Sequence, residues 1–258
     1  MKAYTSLQCS NSESFMRHAS EVLAEHQVMH LSGGDQNGDH SSYYKALGHA
    51  LGDLQYKDED PATGDLDREG WLEIVFDQSK AVKDPYRHGS VRLPLHTDGS
   101  YRREMIDNLD IIFFFCGCQA DFGGATTVVD GNAIVSYLEK YDPVLLEDLL
   151  ETPVHFRKGN FATHEKIIGF EGGDPVLNWN RKNVSQDNSE EVIGMTDRFY
   201  DFCENNLVDG GIVRQVLLGP GDALFFHNRR VMHGRCSFFG SRSLLKSSIK
   251  RHPVQPSL

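Results

Sequence analysis

The chain has 258 residues, 39% of them hydrophobic and 24% charged, so it can bury a core of ordinary size and is not expected to be disordered as a whole. Acidic residues outnumber basic ones by 37 to 26, and the formal charge of -11 argues against sequence-independent binding to nucleic acid or to an anionic membrane surface. With no apolar run of about 20 residues, no apolar segment typical of a secretory signal and five scattered cysteines that form no disulfide pattern, we expect a protein without a membrane span that works in a reducing cytoplasm.

The first part of the chain, residues 1–70, is predicted to be largely helical. An amphipathic helix is expected over residues 11–26, where apolar side chains recur at helical spacing. A short apolar run follows at residues 28–31, and a second helix is expected to begin at Ser41. This part is therefore predicted to contain two helices around one short strand.

The remainder, residues 71–258, is predicted to be rich in strands, with helices around residues 134–150 and from Ser189 onwards. The stretches with strand character are 71–76, 109–118, 126–129, 176–181, 212–218, 223–226 and 243–249. Many short strands between glycine-rich turns favour a sandwich or barrel with helices packed outside it, rather than a βαβ array. No repeat or linker divides the chain, and it has neither a G-x-G-x-x-G fingerprint nor a P-loop.

One segment, LPLHTDGSY at residues 93–101, places His96 and Asp98 two positions apart. On an extended strand both side chains point to the same side. A second segment, GDALFFHNRRVMHGR at residues 221–235, supplies His233. Two histidines and one carboxylate form the facial triad that holds Fe(II) and leaves other positions open. An H-x-D pair alone is weak evidence, since a lone histidine is usually a surface or hydrogen-bonded core residue.

Other histidines and cysteines are weaker candidates for metal ligands. His227 lies six positions before His233 and is the competing ligand in that segment. Cys116 and Cys118 form a C-x-C pair, but no second pair with zinc spacing exists, so no zinc site is predicted. Three further histidines have no companion pattern and are interpreted as structural or exposed: His88, His155 and His164.

Four stretches, in this order and spacing, resemble a known family. They are LPLHTDGSY, GGATTVVDG at residues 123–131, GDALFFHNRRVMHGR, and Arg242-Ser243-Leu244. Together they resemble the iron(II)- and 2-oxoglutarate-dependent oxygenases, in the branch that contains taurine dioxygenase, clavaminate synthase and carbapenem synthase. The resemblance covers residues 93 to about 250. The N-terminal third matches the family only in its order of a helix, a short apolar strand and a second helix.

The resemblance implies a mainly β fold, with a double-stranded β-helix (jelly-roll) core and peripheral α-helices. It implies a single oxygenase domain over residues 1–258, with an N-terminal helical portion at 1–70 and a barrel with helical insertions at 71–258. It also implies that the iron ligands are His96, Asp98 and His233. The family places its distal histidine after an Asn-Arg pair, which favours His233 over His227.

The resemblance further implies a binding site for 2-oxoglutarate. Arg242 matches the arginine that pairs with the distal carboxylate, to which a guanidinium offers two parallel donors. Arg242 follows the distal histidine by fewer positions than in many relatives, so Lys246 and Arg251 remain alternatives. Thr126 matches the threonine that adds a hydroxyl to the same carboxylate. Alternate strand residues face opposite sides, so Thr127 would then face outward.

The implied activity is that of an Fe(II)/2-oxoglutarate-dependent dioxygenase. Such an enzyme uses O2 to oxidise an unactivated C–H bond of a small polar substrate, while 2-oxoglutarate is decarboxylated to succinate and CO2. Hydroxylation is the default outcome because Asp98 is the carboxylate that halogenating relatives lack, although desaturation, ring closure and epimerisation remain open. Candidate substrate residues are Tyr101, Arg181 and Arg229, each of which is otherwise a surface charge or a rim aromatic. An arginine in the pocket would favour an amino acid or a natural-product acid.

Two alternatives to this activity remain. A cupin-like, metal-binding protein would need the triad but would have no use for Arg242 and Thr126. A nucleic-acid or protein demethylase would share the barrel, but the acidic charge and the lack of basic patches disfavour it. The segments 32–40 and 56–70 are predicted to be mobile lids or plain loops, and the oligomeric state is not encoded in any pattern of the sequence.

Overall fold

The computed structural model describes residues 2–10, 12–33, 40–55, 58–59, 66–67 and 71–251. Helices α1 to α8 span, in order, Glu13–Glu25, His40–Leu51, Gln78–Ala81, Pro85–His88, Arg103–Asn108, Gly131–Tyr141, Pro143–Glu151 and Glu190–Phe202. A 3-10 turn covers Arg181–Asn183, and a π-helix covers Cys203–Val208. None of the described helices is both long enough and apolar enough to span a membrane.

The strands β1 to β19 are mostly short. In chain order they span Lys2–Gln8, His26–Ser32, Gly52–Leu54, Asp58–Glu59, Leu66–Asp67, Leu72–Val75, Leu93–His96, Ile111–Cys118, Phe122–Gly123, Thr126–Asp130, Pro153–Lys158, Phe161–Lys166, Ile168–Glu171, Asp174–Leu177, Arg214–Val216, Ala223–His227, Val231–Arg235, Phe238–Phe239 and Ser243–Arg251.

Two sheets form the centre of the molecule. The larger has seven strands in the order β1-β2-β16-β8-β19-β3, with β6 also paired to β19. The smaller has four strands in the order β15-β10-β17-β7. Among the described strands of both sheets only β1 and β2 pair in parallel. The expectation of a sheet-based molecule with helices packed around it is therefore confirmed.

Strand β8 is covered on both of its faces, because successive side chains of a strand point to opposite sides. Ile112 and Phe114 belong to the core cluster that includes β10, β17 and the helices α6 to α8. Phe113 and Phe115 belong to a second cluster, formed with α1 and α2. Phe113 stacks on Phe225 of β16 with ring centroids 4.6 Å apart. An uninterrupted apolar run is what a strand buried on both faces requires.

Six of the eight described helices begin after a side chain that caps their first turn. Ser12 caps α1 and Ser189 caps α8, each accepting a hydrogen bond from a backbone N–H of the first turn. The helical stretch predicted around residues 134–150 is two helices, α6 and α7, separated at Asp142. Pro143 is the first residue of α7, a position that suits proline because its missing N–H would have had no helical partner there.

The N-terminal part contains the two predicted helices, as α1 and α2, and the predicted short strand, as β2, together with further strands that the sequence does not predict. Strands β1 and β2 join the large sheet, where β2 pairs with β16.

The run predicted as a strand at 176–181 continues only to Leu177, the end of β14. The hairpins β11–β12 and β13–β14 were not predicted. The predicted loops 32–40 and 56–70 lie outside the described residues, apart from 32–33, residue 40, and the short strands β4 and β5.

Candidate metal centre and active-site cavity

A cavity of about 350 Å³ is lined by residues of both central sheets. Strands β7, β10 and β17 of the small sheet contribute to one wall, and β6, β8 and β19 of the large sheet contribute to another. All three residues predicted to bind the metal line this cavity, as do the two predicted to bind 2-oxoglutarate. The fold therefore brings together side chains that are up to 146 positions apart in the sequence, counted from His96 to Arg242 (242 minus 96).

His96, Asp98 and His233 each offer a ligand atom, and these atoms all lie within 4.8 Å of one another. His96 and His233 are directly paired across β7 and β17, and their ring centroids are 4.2 Å apart. The Nε2 atom of His96 lies 3.7 Å from Oδ1 of Asp98. Antiparallel pairing of β7 and β17 thus places His233 beside the H-x-D segment. The spacing of these residues in the sequence could not predict that placement.

Two buried polar side chains fix the backbone around the triad. Thr97 exchanges hydrogen bonds with the main chain of Trp179, through both its own N–H and its hydroxyl. Asn228 accepts a hydrogen bond from the N–H of Asp98 at 2.8 Å and donates one to its carbonyl oxygen at 3.0 Å. The main chain around the carboxylate of Asp98 is therefore held by two other segments of the chain, through Trp179 and Asn228.

The electrostatics of the triad suit metal binding at neutral pH. Burial lowers the pKa of both His96 and His233, so both imidazoles are neutral and can donate a lone pair. Burial alone would raise the pKa of Asp98, but the charges around it, above all the ammonium group of Lys246, outweigh burial and hold that pKa well below its ordinary value. The donor set is thus two neutral imidazoles and one carboxylate, which fits Fe(II).

A ring nitrogen of His233 also lacks a hydrogen-bond partner in the described part of the chain. Its Nδ1 atom is buried and has no hydrogen-bond partner among the described residues. Nδ1 of His96, by contrast, lies 3.0 Å from the carbonyl oxygen of Pro94, which orients that ring. A buried ring nitrogen without a hydrogen-bond partner, in a cluster of candidate ligands, fits a histidine that binds a metal ion.

Lys246 on β19 forms an ion pair with Oδ2 of Asp98. It also lies over the ring of Phe114, with Nζ 5.9 Å from the ring centroid. The large sheet thereby contributes a cation directly to the carboxylate of the triad. In the sequence Lys246 is only an alternative to Arg242, and no pattern there predicts its contact with Asp98.

Arg242 immediately precedes β19 and is 7% exposed. No carboxylate among the described residues pairs with it; its guanidinium carbon lies 5.6 Å from the ring centroid of Phe238. Burial and the nearby Arg235 lower its pKa to about 10, so it remains charged at neutral pH. Two buried guanidinium groups close to one another make this end of the cavity suitable for an anion.

Thr126 is 3% exposed and lines the same cavity as Arg242, with its side chain on the face that the register argument predicts. Thr127 is on the opposite face of β10 and is also buried. Arg251, the other alternative to Arg242, does not line the cavity; its backbone N–H donates to Asp110. Of the alternatives in the sequence, only Lys246 shares the cavity with Arg242.

Gly234 separates His233 from Arg235, and no side chain would fit there. A Cβ atom at this position would lie 2.5 Å from the carbonyl oxygen of Leu93 and 2.9 Å from Oγ1 of Thr127. Strands β7 and β10 therefore approach β17 closely on both sides. Arg235 itself donates to the carbonyl oxygens of Gly89 and Val91, the segment that leads into β7.

The three predicted substrate residues have different locations. Arg181 lines the cavity and forms an ion pair with Asp197. Tyr101 is 2% exposed in the hydrophobic core, where its hydroxyl donates to Sδ of Met105, and it does not line the cavity. Arg229 also lies outside the cavity lining, paired with Glu171 at 2.7 Å.

His227, the competing metal ligand, faces the other side of β16. Its Nε2 atom donates to the carbonyl oxygen of Leu23 in α1 at 2.8 Å, so it points away from the triad. The rings of His155 and His164 stack on each other, with centroids 4.4 Å apart. Cys116 is buried and Cys118 is exposed, and all five cysteines are free.

The sequence does not single out several residues that form the outer part of the cavity. They come from α4, the end of β11, the 3-10 turn and α8, and they are Asp84, Tyr86, Arg87, Lys158, Asn180, Lys182 and Tyr200. None of them belongs to a motif with a recognisable spacing. Only the folded arrangement of four separate elements brings them together.

Comparisons with known proteins agree on one family. The family model described as taurine catabolism dioxygenase TauD, TfdA family, matches residues 3–248. A gamma-butyrobetaine dioxygenase from Pseudomonas sp. (strain AK-1) is 40% identical over 190 residues, which is 66% of this chain and 46% of the relative. The mitochondrial trimethyllysine dioxygenase of Rattus norvegicus is 28% identical over 187 residues, which is 63% of this chain and 41% of the relative.

A solved structure shares the fold. Asparagine oxygenase, in complex with Fe(II), hydroxyasparagine and succinate, has a TM-score of 0.68 and 12% sequence identity, covering 92% of this chain and 78% of that chain. At this identity the likeness shows the fold alone. The chain spans less than half of the length of the two curated relatives.

Proposed function

The chain belongs to the TauD/TfdA family of dioxygenases, and from this premise we propose that it is an Fe(II)- and 2-oxoglutarate-dependent oxygenase. The observation that carries the proposal is the convergence of His96, Asp98 and His233 within 4.8 Å, in a cavity that also contains Arg242. The proposed reaction is hydroxylation of a C–H bond in a small polar molecule, an amino acid or a natural-product acid, in the cytoplasm.

The protein part of the mechanism follows from the residues of the cavity. His96, Asp98 and His233 would hold the iron, which, when bound with 2-oxoglutarate, supplies the activation of O2 for C–H oxidation and the release of succinate and CO2. Arg242 binds the distal carboxylate of 2-oxoglutarate through parallel hydrogen bonds, and the hydroxyl of Thr126 adds another. Leu95, Phe114 and Leu244 line the cavity and limit the access of water.

The finer fold assignment is part of the proposal. We infer that the seven-stranded and four-stranded sheets are the two halves of a double-stranded β-helix within a single domain. Two observations support this: the two sheets share one core cluster, and antiparallel pairing dominates both. The helices α1 and α2 cover the outer face of the large sheet.

The cupin-like alternative accounts for the triad but not for the other end of the cavity. It would leave Arg242 buried without any anionic partner, at a desolvation cost that nothing in its function offsets. Arg242 and Thr126 therefore favour a bound dicarboxylate such as 2-oxoglutarate.

The test uses the whole chain loaded with Fe(II). Without oxygen, addition of 2-oxoglutarate is expected to produce a weak visible charge-transfer band, because the 2-oxo acid and the metal become one chromophore. In air, succinate formation is expected, with stimulation by a true substrate in a screen of amino acids, sulfonates and small acids. Asp98→Ala is the control and should lose both signals while keeping its circular dichroism spectrum. A wild-type protein that binds Fe(II) but gives neither band nor succinate would contradict the proposal.

A further inference from the structure

Two histidines on the hairpin β11–β12 lie outside the cavity and have no role in the proposed function. His155 and His164 are directly opposite each other in the register of the two strands. Their rings are nearly parallel, with an interplanar angle of 8° and centroids 4.4 Å apart. Neither imidazole has a hydrogen-bond or ion-pair partner among the described residues. Each neutral ring therefore keeps a nitrogen lone pair available to a ligand.

The main chain holds His155 in the type of pairing that brings cross-strand side chains closest. Its N–H donates to Oδ1 of Asn188 at 2.9 Å, and its carbonyl oxygen accepts from Nδ2 of Asn188 and from the N–H of Ser185, each at 2.9 Å. Both main-chain groups thus point away from β12. His155 and His164 are therefore a non-hydrogen-bonded pair, in which the side chains of antiparallel strands lie closer together than in a hydrogen-bonded pair.

This spacing suits two ligands of one metal ion. Zn(II) binds an imidazole nitrogen at about 2.0–2.1 Å, which places two nitrogens of a tetrahedral site about 3.4 Å apart. A tilt of the two stacked rings towards each other along one edge brings their nitrogens to this distance. His164 is exposed, so its side chain can rotate and water can complete the coordination.

The charges on the same face of the hairpin are balanced. Arg157, on the face of β11 that carries His155, lies 3.6 Å from a carboxylate oxygen of Asp187. Lys166, on the corresponding face of β12, lies 3.7 Å from a carboxylate oxygen of Glu151. Because each basic neighbour has a carboxylate partner, repulsion of a divalent cation at the pair is small.

We propose that His155 and His164 form a second metal site, separate from the triad, for a late first-row divalent ion: Ni(II), Cu(II) or Zn(II). The pair offers imidazole without a carboxylate, and affinity for such nitrogen ligands is higher for these ions than for Fe(II). No third candidate ligand lies close enough to the pair among the described residues. With two protein ligands in place of the four of a closed structural site, the bound ion exchanges with the solution.

The hairpin connects this second site to the wall of the cavity. Lys158 at the end of β11 lines the cavity, and the ring centroid of Phe161 in β12 lies 3.8 Å from the guanidinium carbon of Arg102. Glu165 forms an ion pair with Arg103. Arg102 and Arg103 directly follow the segment that carries His96 and Asp98. An ion that joins the two strands would therefore fix the hairpin against the chain that follows two of the proposed iron ligands.

The first experiment counts bound ions by equilibrium dialysis of the whole chain, with Zn(II) and, in the absence of oxygen, with Fe(II). The wild type is expected to bind two equivalents of Zn(II), at the triad and at the pair, but one of Fe(II). His155→Gln and His164→Gln should each bind one equivalent fewer of Zn(II), because loss of either ligand weakens the second site about tenfold or more. His18→Gln is the matched control, since His18 is exposed on α1, and it should bind as the wild type does.

The second experiment locates the ion. Amide hydrogen exchange of residues 153–166 is measured by mass spectrometry with and without Zn(II). We expect Zn(II) to slow exchange in this hairpin about fivefold more in the wild type and in His18→Gln than in His155→Gln or His164→Gln. Circular dichroism of each variant checks that the substitution leaves the fold intact.

The decisive quantity is a difference of one Zn(II) between the wild type and each hairpin variant, whatever the triad binds. Equal numbers of bound Zn(II), or equal slowing of exchange in the hairpin, would contradict the second site. A second equivalent of Fe(II) that disappears in both hairpin variants would overturn the inferred class of ion. Failure of the wild type to bind any Fe(II) would contradict the proposed function and leave the difference in Zn(II) as the measure of the pair.

Discussion

The side chain of Asn228 is 1% exposed and makes two hydrogen bonds to the main chain of Asp98. A side-chain amide can donate and accept at once, which is why it can mimic a backbone partner here. In the sequence Asn228 stands out only as part of an Asn-Arg pair that the resemblance expects. No pattern in a sequence reveals that residue 228 reaches residue 98, because that contact depends on how two sheets are closed.

Asn228→Leu tests this arrangement, since leucine has a similar shape and no polar atoms. It leaves the N–H and carbonyl of Asp98 without partners, so we expect a loss of about 2 kcal/mol in the free energy of unfolding and about tenfold weaker metal binding. Mn(II) titration and urea unfolding measure the two effects. Asn205→Leu, on the exposed surface, is the control. Unchanged Mn(II) affinity in a destabilised Asn228→Leu protein would show that Asn228 supports the fold and not the metal centre.

Substitutions at Arg242 and Thr126 test the site for 2-oxoglutarate. Arg242→Lys keeps the charge but loses the paired donors, so the dissociation constant for 2-oxoglutarate should rise about tenfold or more. Thr126→Val removes one hydroxyl, and a smaller rise of about fivefold is expected. The measurement is an anaerobic titration of the visible band.

Thr127→Val provides the comparison, because its hydroxyl lies on the opposite face of the same strand and outside the cavity. Its affinity for 2-oxoglutarate should equal that of the wild type. If Thr127→Val weakens binding as much as Thr126→Val does, the register assigned to this strand is wrong at the site.

At the scale of elements, the sequence predicts those helices and strands that are determined by a local pattern of apolar and capping residues. Strand β8 is predictable because both of its faces are buried, and α8 because Ser189 caps a periodic apolar face. The sequence does not predict the hairpins between residues 153 and 177, because their strands are only four to six residues long and contain few apolar side chains. The pairing of His96 with His233 is non-local, and the sequence offers the two residues but not their register.

His227 links two elements, β16 and α1, through its bond to Leu23, and it makes their packing dependent on pH. Burial lowers its pKa to about 4, so the folded protein holds it neutral while the unfolded chain protonates it near 6.5. Stability from this residue is therefore complete above about pH 6.5 and is lost as the pH falls towards about 4. Between about pH 7 and pH 5 the loss should be about 2 kcal/mol.

His227→Gln is the matched variant, since glutamine can still donate to the carbonyl oxygen of Leu23 but does not titrate. Urea unfolding of both proteins at the two pH values measures the difference in slope. The variant should lose less stability on acidification than the wild type. Equal losses in the two proteins would assign the acid sensitivity to other groups, such as the triad histidines.

At the scale of the whole molecule, the proposed ligands join the two central sheets. His96 and His233 belong to the four-stranded sheet, whereas Arg242 immediately precedes β19 of the seven-stranded sheet. A metal and a 2-oxo acid bound together would therefore connect the sheets. The formal charge of -11 could not predict this site, because the composition of a chain does not show where its basic residues lie in the fold.

Binding of Fe(II) and 2-oxoglutarate without oxygen is expected to raise the unfolding temperature in two steps. A ligand at one hundred times its dissociation constant adds about 2.7 kcal/mol, and differential scanning fluorimetry follows the shift. Arg242→Met should keep the step due to Fe(II) and lose the step due to 2-oxoglutarate, whereas His233→Ala should lose both. A full second step in Arg242→Met would place the 2-oxo acid elsewhere.

The close approach of β7 and β10 to Gly234 restricts which residues can replace it. A single methyl group at this position would press against two neighbouring strands at once and push apart the pieces of backbone that carry His96 and His233. Random mutagenesis should therefore find inactive variants at Gly234, a residue that has no side chain with which to bind iron or substrate.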